Sequence, residues 1–264
     1  MRAANSLMTE IRPIREGEAE EFLRVLCQVF DLDFARARGI FYTEPLFDLK
    51  RKWALFHNGQ IVSLLTTVPL TFGWGRAIGI AGVATKKENR RQGFAAALMK
   101  QVLASSVANG ETAAYLFANE PKLYESSGFQ VLDHVVRARL RTLPEERLPP
   151  SLEFAEIKQA YDAWAEQSPA RLRRDHRRWS YWKWNLRVCT GFLGGYLCAE
   201  GGLIREALVH RAVEAWPVPP ETSWLGLRSI ATAMNVPILD PTLELHLMGA
   251  NSPMLPQMFM TDQF

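Results

Sequence analysis

The chain has 264 residues, of which 48% are hydrophobic and 22% are charged, and its formal net charge is +3. This is the composition of an ordinary globular protein, and it excludes a disordered, collagen-like or coiled-coil chain. The length allows one large domain or two small ones, and the small net charge by itself indicates no polyanionic partner.

The cysteines and the N-terminal segment predict the cellular compartment of the protein. Cys27, Cys189 and Cys198 form an odd, widely spaced set, which predicts neither a disulfide framework nor a zinc site. Charged residues interrupt Met1–Arg15, so no secretory signal is expected there. No apolar run approaches the ~20 residues that span a bilayer. We therefore expect a cytoplasmic protein without a metal or a membrane partner.

The first half of the sequence alternates strands and helices. Apolar residues at helical spacing predict a helix over Glu18–Phe30. Asn58 and Gly59 favour a tight hairpin turn between two strands, because both tolerate a positive φ. The predicted strands are Trp53–Phe56, Ile61–Val68, Ala77–Val83, Tyr115–Ala118 and Gln130–Leu140, and the later helices are Phe94–Val107 and Pro121–Ser126.

The second half follows a polar, proline-containing stretch, Arg141–Ser151, whose composition is typical of a linker. We place a domain boundary there, which gives domains at residues 1–145 and 146–264. Helices are predicted over Phe154–Glu166, Arg171–Asn185 and Thr222–Met234, and strands over Phe192–Ala199, Glu206–Val213, Leu243–Met248 and Met254–Met260.

The turn Arg90–Ala95, of the form Arg-x-x-Gly-x-Ala, lies between a predicted strand and a predicted helix. A helix N-terminus leaves about four backbone N–H groups unpaired and carries about half a positive charge. Gly93 lets the backbone approach a ligand closely, so the turn can hold a phosphate group. The neighbouring cations are Lys86, Lys87, Arg90 and Arg91. The alternative is a solvated basic loop, and this short pattern alone does not decide between the two.

The wider sequence around this turn resembles the GNAT superfamily of N-acetyltransferases. The acetyl-CoA signature of that family, Arg/Gln-x-x-Gly-x-Gly/Ala after a strand, corresponds here to Val83, Thr85, Arg90, Gly93 and Ala95. A second family motif, Asn followed by Tyr-x-x-x-Gly-Phe, corresponds to Asn119 and the run from Tyr124 to Phe129. The resemblance covers about Thr9–Leu140, and two motifs in the right order are more specific than either alone.

This resemblance implies a mixed α/β fold with a splayed mixed sheet flanked by helices. Two parallel strands, Ile78–Thr85 and Tyr115–Ala118, would separate, and the free edge of the first would pair with the pantetheine of acetyl-CoA. The loop amides would hold the pyrophosphate. The cofactor-binding residues implied in this way are Val83, Ala84, Thr85, Arg90, Arg91, Gln92, Gly93, Phe94, Ala95, Ala96 and Asn119.

Tyr124 is the catalytic residue that the resemblance implies, as a general acid that protonates the departing thiolate. The alternative is a core aromatic residue whose hydroxyl finds a structural partner. Asn119 either contacts the cofactor or caps the helix near Pro121. We assign no general base, because the strand before the turn contains no ionisable group. Candidates by residue type alone are His57, His134, Asp31 and Asp33.

Within the superfamily, the sequence looks most like the enhanced-intracellular-survival type, in which a second, degenerate GNAT-like half follows the first. Residues 146–264 would then complete the acceptor cleft. Proteins of that type usually add a third, sterol-carrier-like domain, for which this sequence is too short. Their C-terminal carboxylate enters the active site, but we do not assign the carboxylate of Phe264 to the site.

Basic and aromatic residues alternate in Arg171–Trp184. Such a run can bind nucleic acid through phosphate contacts and base stacking. We favour an amphipathic helix instead, with Trp179, Trp182 and either Tyr181 or Trp184 packed inward and the arginines in water, because the net charge is low and no nucleic-acid motif accompanies the run.

The sequence therefore predicts an acetyl-CoA-dependent N-acetyltransferase that acts on a primary amine, small molecule or peptide, by direct attack and without a metal. The runner-up is a non-catalytic acyl-CoA-binding or regulatory protein with a vestigial site. Whether the chain forms a homo-oligomer stays open.

Overall fold

The computed structural model describes residues 9–143, 151–185 and 189–264. The predicted domain boundary at 145/146, and with it most of the predicted linker, lies outside these residues. The strands are β1 (Thr9–Pro13), β2 (Lys52–His57), β3 (Gln60–Phe72), β4 (Gly75–Thr85), β5 (Glu111–Ala118), β6 (Gln130–Leu140), β7 (Leu172–Arg173), β8 (Cys189–Phe192), β9 (Gly195–Glu200), β10 (Leu203–Leu208), β11 (Ser223–Leu227) and β12 (Ile238–Ala250). The helices are α1 (Ala19–Phe30), α2 (Phe34–Thr43), α3 (Phe94–Ala108), α4 (Lys122–Glu125), α5 (Phe154–Glu166), α6 (His176–Asn185) and α7 (Arg228–Ala233).

These strands form one mixed sheet in the order β1-β2-β3-β4-β5-β12-β6-β11-β10-β9-β8, and β7 pairs with β3 beside it. The long strand β12, from the end of the chain, lies between β5 and β6 and runs antiparallel to both. The two halves of the sequence therefore contribute to the same sheet. The predicted fold class, a mixed α/β protein with helices flanking a mixed sheet, is confirmed.

The elements of the first half follow from local signals. Helix α1 buries Phe22, Leu23 and Val25 on one face, as its apolar spacing predicts. The β2–β3 hairpin turns at Asn58 and Gly59, which both have positive φ. Strand β1 and helix α2 were not predicted.

Three predictions in the second half are wrong. Thr222–Met234 is not one helix, because Ser223–Leu227 pairs with β6 as strand β11 and only the six residues of α7 are helical. Phe192–Ala199 is not one strand but part of the β8–β9 hairpin. Met254–Met260 is not a strand, since Pro253 and Pro256 cannot donate to a ladder and only Gln257 forms an isolated bridge.

The cysteines also differ from expectation. Cys189 and Cys198 lie directly opposite each other on β8 and β9 and form a disulfide. A spacing of nine residues carries no disulfide signal until the hairpin brings the two strands together. Cys27 is a free, buried thiol.

Two arginines of the basic segment are buried, although the sequence predicted that its arginines lie in water. Arg174 has no exposed side-chain surface and donates to the carboxylates of Asp262, at 2.6 Å, and Glu206, at 2.7 Å. Arg178 is 3% exposed and donates to the backbone carbonyls of Asp262 and Pro69. Trp179 and Trp182 pack inward as predicted. Through Arg174 and Arg178, the segment therefore binds the C-terminal region at Asp262.

Within the described ranges, no helix is long and apolar enough to cross a membrane. The same ranges contain no group of three or more His, Cys, Asp and Glu residues that could hold a metal ion.

Candidate active site

Strands β4 and β5 separate at their carboxyl ends. They pair in parallel from Arg76 and Glu111 as far as Ile80 and Leu116, and no pairing of the two strands follows in the described sheet. Opposite β3, β4 carries one additional residue between Ala81 and Ala84, which is a bulge with Gly82 at φ +60°. The β5-facing edge of β4 beyond Ile80 is therefore free to pair with another extended chain.

The loop after β4 leaves several backbone donors without backbone acceptors. Arg91 and Gly93 have positive φ, at 62° and 79°, and helix α3 begins directly afterwards. The first helical hydrogen bond of α3 runs from the N–H of Ala97 to the carbonyl of Gly93. Consequently, the N–H groups of residues 93–96 have no backbone acceptor within the described chain. An ideal Cβ at Gly93 would meet no atom within 4 Å, so the space in front of the loop is open.

The side chains of this loop support the backbone and leave its donors uncovered. The Arg90 guanidinium donates to the carbonyl of Thr85, and the Gln92 amide donates to the carbonyl of Glu88. Thr85 is fixed on β4 by the hydroxyl of Ser63, 2.9 Å from its own hydroxyl. The predicted residues Val83 to Ala96 thus form one continuous strand–loop–helix segment.

Tyr124 lies on α4, on the same face of the sheet as the start of α3. Its ring packs against Phe129 at 6.4 Å between centroids, in the apolar cluster that also includes Val83 and Phe94. Its hydroxyl makes no hydrogen bond among the described residues, and burial raises the pKa of Tyr124. The phenol is therefore neutral at physiological pH and has a proton to donate.

Of the other predicted polar residues, His57 packs against Phe94 at the start of α3, with 5.3 Å between the ring centroids. Asn119 is exposed, and α4 has no side-chain cap, so the capping alternative does not hold. Asp33 caps α2 by accepting from the N–H of Arg36, and His57 contacts Thr9. His134 packs against His246 on β12.

Phe264 lies at the opening between β4 and β5, a position that the sequence analysis did not assign. An ideal Cβ at Gly79 would lie 2.6 Å from its ring carbons, so only glycine leaves room for the ring. The Phe117 ring on β5 is 5.3 Å from it. The ring therefore covers both strands just before they separate, on the face opposite α3.

A cavity of about 320 Å³ opens beside Phe264 on that face. Its floor is formed by β3 and β4, where Ala81 and Gly82 belong to the free segment of β4. Apolar residues of α1 and α2 form one wall, and Arg178, Tyr181, Gln263 and Phe264 form the other. We call this cavity the acceptor pocket, because it meets β4 from the side opposite the α3 N-terminus.

Residues 10–132 match a family model described as an acetyltransferase (GNAT) domain. This part of the chain is similar to a GNAT acetyltransferase domain. The match covers β1 to the start of β6 and includes the splayed strands, the loop and Tyr124. It confirms the predicted enzyme class, an N-acetyltransferase with acetyl-CoA as the acyl donor.

Solved GNAT structures share the fold over nearly the whole chain. A GCN5-related N-acetyltransferase from Kribbella flavida matches with a TM-score of 0.69 at 17% identity, over 92% of this chain and 71% of its own. One from Anabaena variabilis gives 0.65 at 15% identity, over 92% and 72%. Eis1 from Mycobacterium abscessus gives 0.60 at 16% identity, over 91% and 73%. At these identities the likeness shows the fold alone. The comparison with curated proteins finds no match to the chain.

Proposed function

We propose that the protein transfers an acetyl group from acetyl-CoA to a primary amine by direct attack. The observation that carries the proposal is the free edge of β4 leading into the four unpaired N–H groups at the start of α3. An extended amide chain that ends in a pyrophosphate would satisfy both. Val83 and Thr85 would pair with the amides of pantetheine, and residues 91–96 would hold the phosphates.

Acetyl-CoA supplies the acetyl group as a thioester, whose carbonyl carbon is open to a nucleophile. In this proposal the acceptor amine enters from the acceptor pocket and forms the new C–N bond, while the C–S bond breaks. The Tyr124 hydroxyl donates its proton to the departing sulfur, and the amine loses one proton through water. The raised pKa of Tyr124 supports this role, because the donor stays protonated.

The second half of the chain would complete the acceptor pocket, in the manner of the enhanced-intracellular-survival type. Supporting this, Arg178 and Tyr181 of α6 and Gln263 and Phe264 at the end of the chain form one wall of the pocket. The alternative is a non-catalytic acyl-CoA-binding protein. The Tyr124 hydroxyl, which has no hydrogen-bond partner in the described part of the chain, and a pocket that reaches β4 both favour the enzyme.

The test is a thiol-release assay with acetyl-CoA and a panel of primary amines that includes small amines and lysine-containing peptides. An enzyme releases CoA only when an accepted amine is present, and mass spectrometry finds the product heavier by one acetyl group. If calorimetry shows that the protein binds acetyl-CoA but no amine in the panel is acetylated, the protein is the non-catalytic acyl-CoA-binding alternative. Failure to bind acetyl-CoA would refute both.

A further inference from the structure

Lys52 lies in the acceptor pocket with its charge unpaired. It is 5% exposed, and among the described residues its ammonium group has no hydrogen bond and no ion pair. The rings of Phe41 and Phe47 lie beside it, with centroids 5.1 and 5.7 Å from Nζ. Burial lowers the pKa of Lys52, against the opposing effect of Glu44 and Asp48. A buried cation that no carboxylate pairs with is costly, so an anion that enters the pocket would stabilise it.

The strand register places Lys52 level with the free segment of β4. Lys52 on β2 is directly opposite Thr66 on β3, and Thr66 is directly opposite Ala81 on β4. All three line the acceptor pocket. Neighbouring strands lie about 4.8 Å apart, so about 10 Å of sheet separates Lys52 from Ala81. A small molecule can therefore touch both ends of this row.

The wall of the pocket beside Lys52 is mostly apolar. Leu23, Leu26, Ile40 and Leu46 line it beside Lys52. Glu44 is the one carboxylate side chain in the described lining. It forms no ion pair with Lys52, so it does not neutralise the lysine, and it can attract a positively charged amine.

We propose that the acceptor is an amino acid with an apolar side chain, and that Lys52 binds its carboxylate while its amine faces Ala81 and Gly82. This substrate class rests on the proposed transfer function and narrows it. The carboxylate supplies the missing anion, the apolar side chain fills the leucine-lined part of the pocket, and the amine points at the strand edge where the thioester would lie.

Calorimetry with ligands that cannot be acetylated tests the pocket apart from catalysis. The probes are 3-phenylpropanoate and its neutral amide, 3-phenylpropanamide. A charge-assisted hydrogen bond is worth about tenfold in affinity or more, so we expect the acid to bind at least about tenfold more tightly than the amide. In Lys52→Met this preference should disappear, because methionine keeps the length and removes the charge. Lys50→Met is the control, since Lys50 is exposed two residues away.

Equal affinities of the wild-type protein for the two probes, or no binding of either, would overturn the proposal without any variant. The proposal would also be overturned if folded Lys52→Met still bound the acid more tightly than the amide. Transfer is tested separately, with L-phenylalanine against L-phenylalaninamide as acceptors. If the amide is the better acceptor, the substrate class is wrong and acetyl transfer stands. If acetyl-CoA does not bind, the proposed function is wrong as well.

Discussion

The ring of Phe264 lies against the backbone of Gly79, at the point where β4 and β5 begin to separate. A single methyl group on Gly79 would lie 2.6 Å from three carbons of that ring. This contact joins the end of the chain to the strand that the cofactor would pair with. Because Phe264 also lines the acceptor pocket, a change in the position of its ring would change the shape of the pocket.

Gly79→Ala should displace the ring and destabilise the protein by about 1–3 kcal/mol, the usual cost of overpacking. Phe264→Ala should remove most of that cost, so the double variant should be more stable than the sum of the single effects predicts. Urea unfolding of the four proteins measures the coupling. Gly39→Ala, on α2 with no atom within 4 Å of an added Cβ, is the control and should be neutral or stabilising. Additive single effects would mean that the contact is absent.

Arg174 should contribute strongly to stability. Arg174→Met leaves the carboxylates of Glu206 and Asp262 buried without their cation, and breaking a buried pair in this way costs about 3–5 kcal/mol. Chemical denaturation gives the loss. Arg139→Met is the matched control, because the Arg139–Asp240 pair is 73% and 76% exposed, and its loss should cost about 1 kcal/mol or less. Similar losses in the two variants would contradict the burial argument.

Because of Lys52, the free energy of unfolding should depend on pH in the alkaline range. Because its pKa is lowered on folding, the unfolded chain holds the additional proton between that lowered pKa and the unfolded value of about 10.4. The free energy of unfolding should therefore rise with pH in this window, and the full cost of the charge is present below it. Lys52→Met lacks this rise, so its advantage over wild type should be largest near neutrality and shrink toward pH 10. Glu44, Arg178 and Tyr181 line the pocket, Asp48 acts on the pKa of Lys52, and both proteins contain all four residues. A constant difference between the two proteins would refute the assignment.

The sequence predicts the cofactor side of the site better than the acceptor side. The β4–loop–α3 segment is contiguous, so glycine placement and apolar periodicity are enough to predict it. The acceptor pocket is assembled from distant segments, and Lys52 and Phe264 have no local signal. The same holds for Arg174, whose partners lie 32 and 88 residues away. Strand β12 lies between β5 and β6 because it pairs with both, and a local sequence pattern does not predict which distant strands pair.

Tyr124→Phe separates the catalytic role from the structural one. The variant keeps the ring against Phe129 and removes only the hydroxyl, so we expect kcat to fall by about 10²-fold with little change in the KM for acetyl-CoA. Because burial raises the pKa of Tyr124, loss of kcat from its deprotonation in the wild type should occur at a higher pH than the titration of an exposed tyrosine. Steady-state kinetics and a thermal melt of the variant distinguish the catalytic role of Tyr124 from a structural one. Wild-type turnover in a folded variant would assign the acid to another group or to water.

Binding of acetyl-CoA at the start of α3 is the central claim, and Gly93 tests it most directly. Asn and Asp have nearly the same shape, both tolerate the positive φ of this position, and an added Cβ there meets no neighbour within 4 Å. Titration calorimetry with acetyl-CoA on Gly93→Asn and Gly93→Asp therefore isolates the effect of one negative charge. We predict that the Asn variant binds and that the Asp variant binds at least about tenfold more weakly, because its carboxylate repels the pyrophosphate. Equal affinities in the two folded variants would show that the phosphates bind elsewhere.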